Sequence, residues 1–142
     1  MQALTLMVIY VLTTAVVQFL GFLISRLIDY ESFCGLKAPV REILPHELAA
    51  RLQGSEPPFL LDVREPDEYA EAHIHGGHLI PLGELPYRLS ELSNVPTVVY
   101  CRSGQRSMRA CEFMREAGFS QVENLAGGIL SWAGKGNPVA MD

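Results

Sequence analysis

An α/β fold built on a parallel sheet is predicted by three observations. Short apolar, β-rich runs alternate with segments of helical spacing along residues 40–142. FLLDV (59–63) is a continuous apolar run, as in a strand buried on both faces, and TVVYC (97–101) is equally rich in β-formers. Proline and glycine stand where helices should start and stop, with Pro45 and Pro66 as openers and Gly118 as a terminator.

Taken in order, VREI (40–43) reads as a short strand, followed by the helix PHELAARL from Pro45. After FLLDV, PDEYAEA from Pro66 reads as a short helix and LIPL (79–82) as a brief extended piece. GELPYRLSEL carries Leu85, Leu89 and Leu92 at helical spacing. TVVYC leads into the helix SMRACEFMREAGF, with Met108, Cys111, Phe113 and Met114 expected on its inner side. QVENL is the last strand and GGILSWAG the last helix.

The chain before this region differs in kind. Its first 25 residues carry no charged side chain, so all 16 acidic and 11 basic residues, and the net charge of −5, fall at or after Arg26. Residues 3–25 (ALTLMVIYVLTTAVVQFLGFLIS) are long enough to cross a bilayer as a helix. No basic residue precedes the run and no small-residue cleavage site follows it, which disfavours a cleaved signal peptide. The expected organisation is a transmembrane helix over residues 1–28, a linker over 29–39 and an α/β domain over 40–142. Arg26, Lys37 and Arg41 on the C-terminal flank place that domain on the cytoplasmic side of a single-pass membrane protein.

An acidic domain without a lysine or arginine run argues against nucleic acid as a partner. Three widely spaced cysteines, Cys34, Cys101 and Cys111, make neither a disulfide framework nor a zinc pattern. They suit a reducing compartment with at least one free thiol.

Cys101 carries the chemistry. In an open α/β sheet, sites form beyond the carboxyl ends of strands. Cys101 ends the TVVYC strand and is followed by RSGQRS and then a helix. A tight loop there turns successive backbone N–H groups inward, and the helix N-terminus adds partial positive charge. Gly104 permits the turn, and Arg102 and Arg106 bring fixed charge. All of this favours the thiolate and predicts a lowered pKa for Cys101.

Three blocks, LLDVREPDEYAEAHIHGGHLIPL, CRSGQRS and NLAGGILSWAGKGNPV, stand in the order of the signature blocks of rhodanese-like domains, which the chain resembles over residues 39–139. The resemblance implies a central parallel five-stranded sheet flanked by helices, and sulfane-sulfur transfer through a cysteine persulfide. It implies Cys101 as nucleophile and the segment Arg102, Ser103, Gly104, Gln105, Arg106 and Ser107 as the substrate cradle, with Arg106 helping to hold an anionic donor such as thiosulfate. The other partner implied is a thiol or cyanide acceptor, and no cofactor is expected. A related phosphatase family has one residue more between its loop cysteine and arginine. The four here suit a persulfide better than a phosphate ester. The alternatives are a non-catalytic module of the same fold, which the intact cysteine disfavours, and a phosphatase or arsenate reductase, which the short loop disfavours. His75 replaces the proline usual in the first block, which predicts a looser turn there.

Among the remaining polar residues, Asp62 and Arg64 read as a structural pair bracing the sheet end near the site. Glu68 reads as a local cap or salt link. His73, His75 and His78 have ligand-like spacing but no cysteine or carboxylate beside them, so no metal is expected. Trp132 and the Gly127–Gly128 pair read as core and turn, Cys111 as an inert core thiol, and Cys34 as an incidental linker cysteine.

Overall fold

The computed structural model describes residues 16–20 and 38–141. Residues 16–20 are helical. The expected transmembrane helix and linker, with Cys34, otherwise lie outside the described residues. Among the described residues no helix is long and apolar enough to cross a membrane.

From Val40 onward the chain forms one α/β unit. Its elements are β1 (Arg41–Ile43), α1 (Pro45–Leu52), β2 (Phe59–Asp62), α2 (Pro66–Glu71), β3 (Gly77–Leu79), α3 (Leu85–Arg88) with a 3-10 turn (Leu89–Glu91), β4 (Thr97–Tyr100), α4 (Gln105–Glu116), β5 (Val122–Leu125) and α5 (Gly128–Gly134). The five strands pair in the order β1-β5-β4-β2-β3, and every pairing is parallel.

Successive side chains of a strand point to opposite faces, so a sheet covered on both sides needs apolar residues at consecutive positions. Leu60, Val98 and Tyr100 enter one core with Ile43, Leu48, Leu125, Ile129 and Trp132. Leu61, Val63, Val99 and Cys101 enter the other with Leu85, Ala110, Cys111 and Met114. That division explains the unbroken apolar runs: β2 and β4 each serve two cores.

Three elements differ from expectation. The third strand is Gly77–Leu79 rather than residues 79–82, because Leu60, Leu61 and Asp62 pair with Gly77, His78 and Leu79. The leucine-spaced segment after it is a single α turn and a 3-10 turn, not one helix. On α4 the buried side is Ser107, Ala110, Cys111 and Met114, with Met108 and Phe113 only half-buried.

The topology fixes where a site can lie. β2 and β4 are neighbours, but the connection after β2 leads to β3 on one side and the connection after β4 leads to β5 on the other. Loops that diverge in this way open a crevice beyond the carboxyl ends of the two strands. The residues at those ends are Asp62, Val63 and Arg64 after β2, and Cys101 after β4.

Candidate functional site: the loop after β4

Cys101 leaves β4 with its side chain 1% exposed, and the chain turns at once into α4. The turn depends on Gly104, whose φ of +97° lies in the left-handed region that side chains disfavour. Its backbone N–H donates to Cys101 Sγ at 3.1 Å. The Ser107 hydroxyl, in the first turn of α4, donates to the same sulfur at 3.4 Å. Burial alone pushes the thiol pKa up. The Ser107 hydroxyl and the backbone N–H groups of Ser107, Gly104 and Ser103 outweigh it, and the net pKa is below the ordinary thiol value. Sequence reasoning credited the loop N–H groups, the helix N-terminus and the two arginines together. The structure puts the loop's hydrogen-bond donors at the sulfur, while Arg102 is exposed.

A second chain of polar residues stands behind the serine. Ser107 Oγ also donates to Asn124 Oδ1 at 2.6 Å, and Asn124 Nδ2 donates to Glu42 Oε1 at 2.9 Å. One hydroxyl proton thus has two acceptors, the sulfur and the amide oxygen, and rotation of the hydroxyl favours the sulfur once it is a thiolate. Sequence analysis singled out neither Asn124 nor Glu42. The available signal was an asparagine inside the strand VENL, where a fully buried amide needs a buried partner.

α5 holds the loop from its other side. The N–H groups of Ile129 and Leu130 donate to the carbonyls of Cys101 and Arg102 at 2.8 and 3.2 Å. A trans peptide carries its C=O and N–H in opposite directions. Anchoring the Arg102 carbonyl on α5 therefore directs the Ser103 N–H the other way, toward the sulfur it bonds. Gly128 makes this approach possible. A Cβ on it would lie 2.4 Å from the Cys101 carbonyl oxygen and 2.5 Å from that of Arg102. The glycine pair is thus more than a turn: Gly128 is packed against the nucleophile's own backbone.

The charged residues form two linked braces. Arg64 grips both carboxylate oxygens of Asp62 at 2.6–3.0 Å and donates to the carbonyls of Glu68 and Ala72 at the end of α2. Arg106 is held in a two-pronged pair by Glu68, both contacts at 2.7 Å. That hydrogen bond lowers the Glu68 carboxyl to about 2, with the Glu65 N–H assisting against partial burial. Glu68 is therefore not only a local cap but a link from α2 to the loop helix. Arg106 lies near the sulfur with two of its donors already engaged.

The other sequence-predicted candidates lie apart from this cluster. Burial pushes the Cys111 thiol up to about 12, which leaves it unreactive at neutral pH. His73 is buried, stacked on Tyr69 at 3.9 Å, with its Nδ1 3.0 Å from the Tyr69 carbonyl. His75 and His78 are exposed, and among the described residues no group of metal-ligating side chains converges. His73 also exchanges both backbone hydrogen bonds with Ala140, which ties down the turn where His75 stands. Trp132 is buried and donates to the Pro138 carbonyl at 2.8 Å.

Known proteins are similar to this chain in sequence and fold. A protein of Allochromatium vinosum named sulfurtransferase is 40% identical over 101 residues, covering 70% of this chain and 94% of that protein. The solved structure of a rhodanese-related protein from Thermoplasma volcanium superposes with a TM-score of 0.66 at 31% identity, covering 72% of this chain and 99% of that one. A thiosulfate sulfurtransferase of Pseudomonas aeruginosa gives a TM-score of 0.66 at 28% identity, covering 72% of this chain and 20% of the other. The profile of the family described as rhodanese-like domain matches residues 44–135. With its parallel five-stranded sheet and a cysteine in the loop after β4, the chain belongs to the rhodanese-like domain family.

Proposed function

We propose that the protein is a sulfurtransferase that carries a sulfane sulfur on Cys101. The observation that carries this reading is the sulfur atom's setting: a buried thiol whose pKa is lowered by the N–H groups of its own loop and by the Ser107 hydroxyl. Such a ring of donors stabilises a thiolate before the reaction and a terminal persulfide anion after it. Relatives that bear the name sulfurtransferase, and the similarity to a thiosulfate sulfurtransferase, support the same chemistry.

The reaction with thiosulfate balances without a cofactor. The Cys101 thiolate attacks the outer sulfur of the donor, a new S–S bond forms, and sulfite departs with the electron pair of the broken bond. The persulfide anion left on Cys101 then meets the loop donors. A thiol or cyanide takes the outer sulfur in a second step, and Cys101 is regenerated as thiolate. Arg102, Ser103, Gly104, Gln105, Arg106 and Ser107 form the substrate cradle in this scheme. Asp62 and Arg64 position it by bracing α2.

The uncharged run over residues 3–25 supports a membrane tether for this activity, with the α/β domain on the cytoplasmic side. Intact mass spectrometry after incubation with thiosulfate tests the central reading. Wild type should gain one sulfur atom and Cys101→Ser none, because a hydroxyl neither ionises at neutral pH nor forms a persulfide. A sulfur adduct on Cys101→Ser, or none on wild type, overturns it.

A further inference from the structure

The polar chain behind Ser107 runs along one row of the sheet. Strand register sets Val99 beside Asn124 and Asn124 beside Glu42, so the row crosses from the middle of the sheet to its edge on one face. Asn124 and Ser107 are buried, whereas Glu42 on the edge strand β1 is exposed. The preceding residue of each strand points to the opposite face. There Arg41 and Arg51 engage Glu123, which leaves the Glu42 carboxylate to Asn124.

Hydrogen-bond chemistry gives this chain a direction. A carboxylate only accepts, so the amide atom 2.9 Å from Glu42 Oε1 is the NH2 group of Asn124. The amide oxygen then faces Ser107, whose hydroxyl donates to it at 2.6 Å. The contact from Ser107 Oγ to Cys101 Sγ is longer, at 3.4 Å. With the thiol protonated, every donor therefore points one way: S–H to the serine oxygen, O–H to the amide oxygen, N–H to the carboxylate. A thiolate reverses the first link, because it draws the serine O–H away from the amide oxygen. Turning the amide over would change this. Its NH2 group would donate to Ser107 Oγ, and the serine O–H would be committed to the sulfur in both states.

We infer that Glu42 is a positioning residue for the sulfur chemistry: it holds the Asn124 amide with its oxygen toward Ser107, and so keeps the serine O–H free to turn between that oxygen and Cys101 Sγ. The inference rests on the sulfur-transfer reading above. Glu42 acts through two residues, Asn124 and Ser107. The turning hydroxyl matches the two states of the sulfur in that reaction. In the thiolate the charge is on Sγ itself, which takes the serine O–H. In the persulfide Sγ is the uncharged inner atom, and the O–H returns to the amide oxygen. The loaded state thus leaves the buried amide oxygen with its donor.

Glu42→Lys is the decisive variant, because an ammonium only donates and so turns the amide over. The rate of iodoacetamide alkylation at Cys101 is followed against pH in the full chain by peptide mass, which reads this thiol apart from the other two. Its midpoint should fall about half to one pH unit below wild type, the worth of roughly one hydrogen bond no longer withdrawn from the amide. The rising limb of the thiosulfate loading rate should shift with it. The alkaline plateau should not rise, since a less basic thiolate is a weaker nucleophile. Glu42→Ala, which releases the amide without reversing the charge, should shift the midpoint the same way by less. The lysine also alters surface charge, so the same substitution is made in Ser107→Ala, at about 0.15 M salt where screening acts over about 8 Å. No serine O–H is left to redirect there, and the midpoint should stay where Ser107→Ala alone puts it. Thermal melts check that each variant folds. A midpoint unmoved or raised in Glu42→Lys, or lowered equally with and without Ser107, overturns the positioning role and leaves sulfur transfer standing. Failure of the wild type to load sulfur overturns sulfur transfer and, with it, the role of Glu42 in it.

Discussion

Gly128 lies against the backbone of Cys101 so closely that a single added carbon would sit 2.4 Å from the Cys101 carbonyl oxygen. The contact lets α5 dock its N–H groups on the loop and so aims the loop's donors at the sulfur. Gly127, its neighbour, also has a positive φ, but the atoms nearest a Cβ there belong to Ser131 and not to the loop. The pair therefore separates strain in general from displacement of the loop. Gly128→Ala should raise the Cys101 pKa and cut sulfur loading by about tenfold or more, whereas Gly127→Ala should cost stability, about 1–3 kcal/mol, with a near-normal thiol pKa. Thiolate absorbance titrations and thermal melts on both variants decide it; equal thiol pKa values in the two would remove Gly128 from the site.

Ser107 contributes one of the hydrogen bonds that hold the Cys101 pKa down. Ser107→Ala should raise that pKa and shift the rising limb of the loading-rate profile to higher pH. At neutral pH the rate should fall about fivefold, and at alkaline pH it should recover, since the thiolate then forms without help. An unshifted limb would mean that the backbone N–H groups suffice. Asn124→Ala, which removes the serine's other acceptor, should leave the limb in place or move it slightly lower.

Glu68 and Arg106 should give kinetic effects of opposite sign. Arg106→Ala removes positive charge near the sulfur and leaves the Glu68 carboxylate unpaired, so the KM for thiosulfate should rise by roughly three- to tenfold. Glu68→Gln keeps the shape, frees the guanidinium, and should leave that KM unchanged or lower it. The pair also sets an acid limit. A carboxyl lowered in the fold to about 2 from 4.5 contributes stability that is complete above its unfolded value and lost as pH falls toward 2. Glu68→Gln should therefore flatten the decline in melting temperature between those two pH values.

The tether has its own test. The full chain should co-sediment with lipid vesicles and resist extraction by alkaline carbonate, while a chain starting at residue 38 should remain in the supernatant. Carbonate-extractable full-length protein would show that residues 3–25 do not span the bilayer.

Much was legible without coordinates, for reasons that are local. Continuous apolar runs identified β2 and β4 because a strand covered on both faces has no polar side. Pro45 and Pro66 marked the first turns of α1 and α2 because proline suits a position whose N–H is not needed. Cys101, Gly104 and the following helix are consecutive, so the nucleophile and its cradle could be read directly from CRSGQRS. The errors were local too. The leucine spacing of residues 85–92 suggested one helix, but the backbone leaves the helical path at Arg88 and only two short turns form.

What the sequence by itself determined was the alternation of strands and helices, the uncharged N-terminal run, and the cysteine loop with its glycine. What only the tertiary structure decided was which distant residues meet that loop. Glu68 reaches Arg106 across 38 positions and Asn124 reaches Ser107 across 17. Gly128 reaches Cys101 through an approach that no spacing announces. The physical reason is that periodicity reports how a segment faces the core, whereas partners across a sheet are set by strand order. Here that order puts β4 between β2 and β5, and so brings the ends of both neighbours to the sulfur.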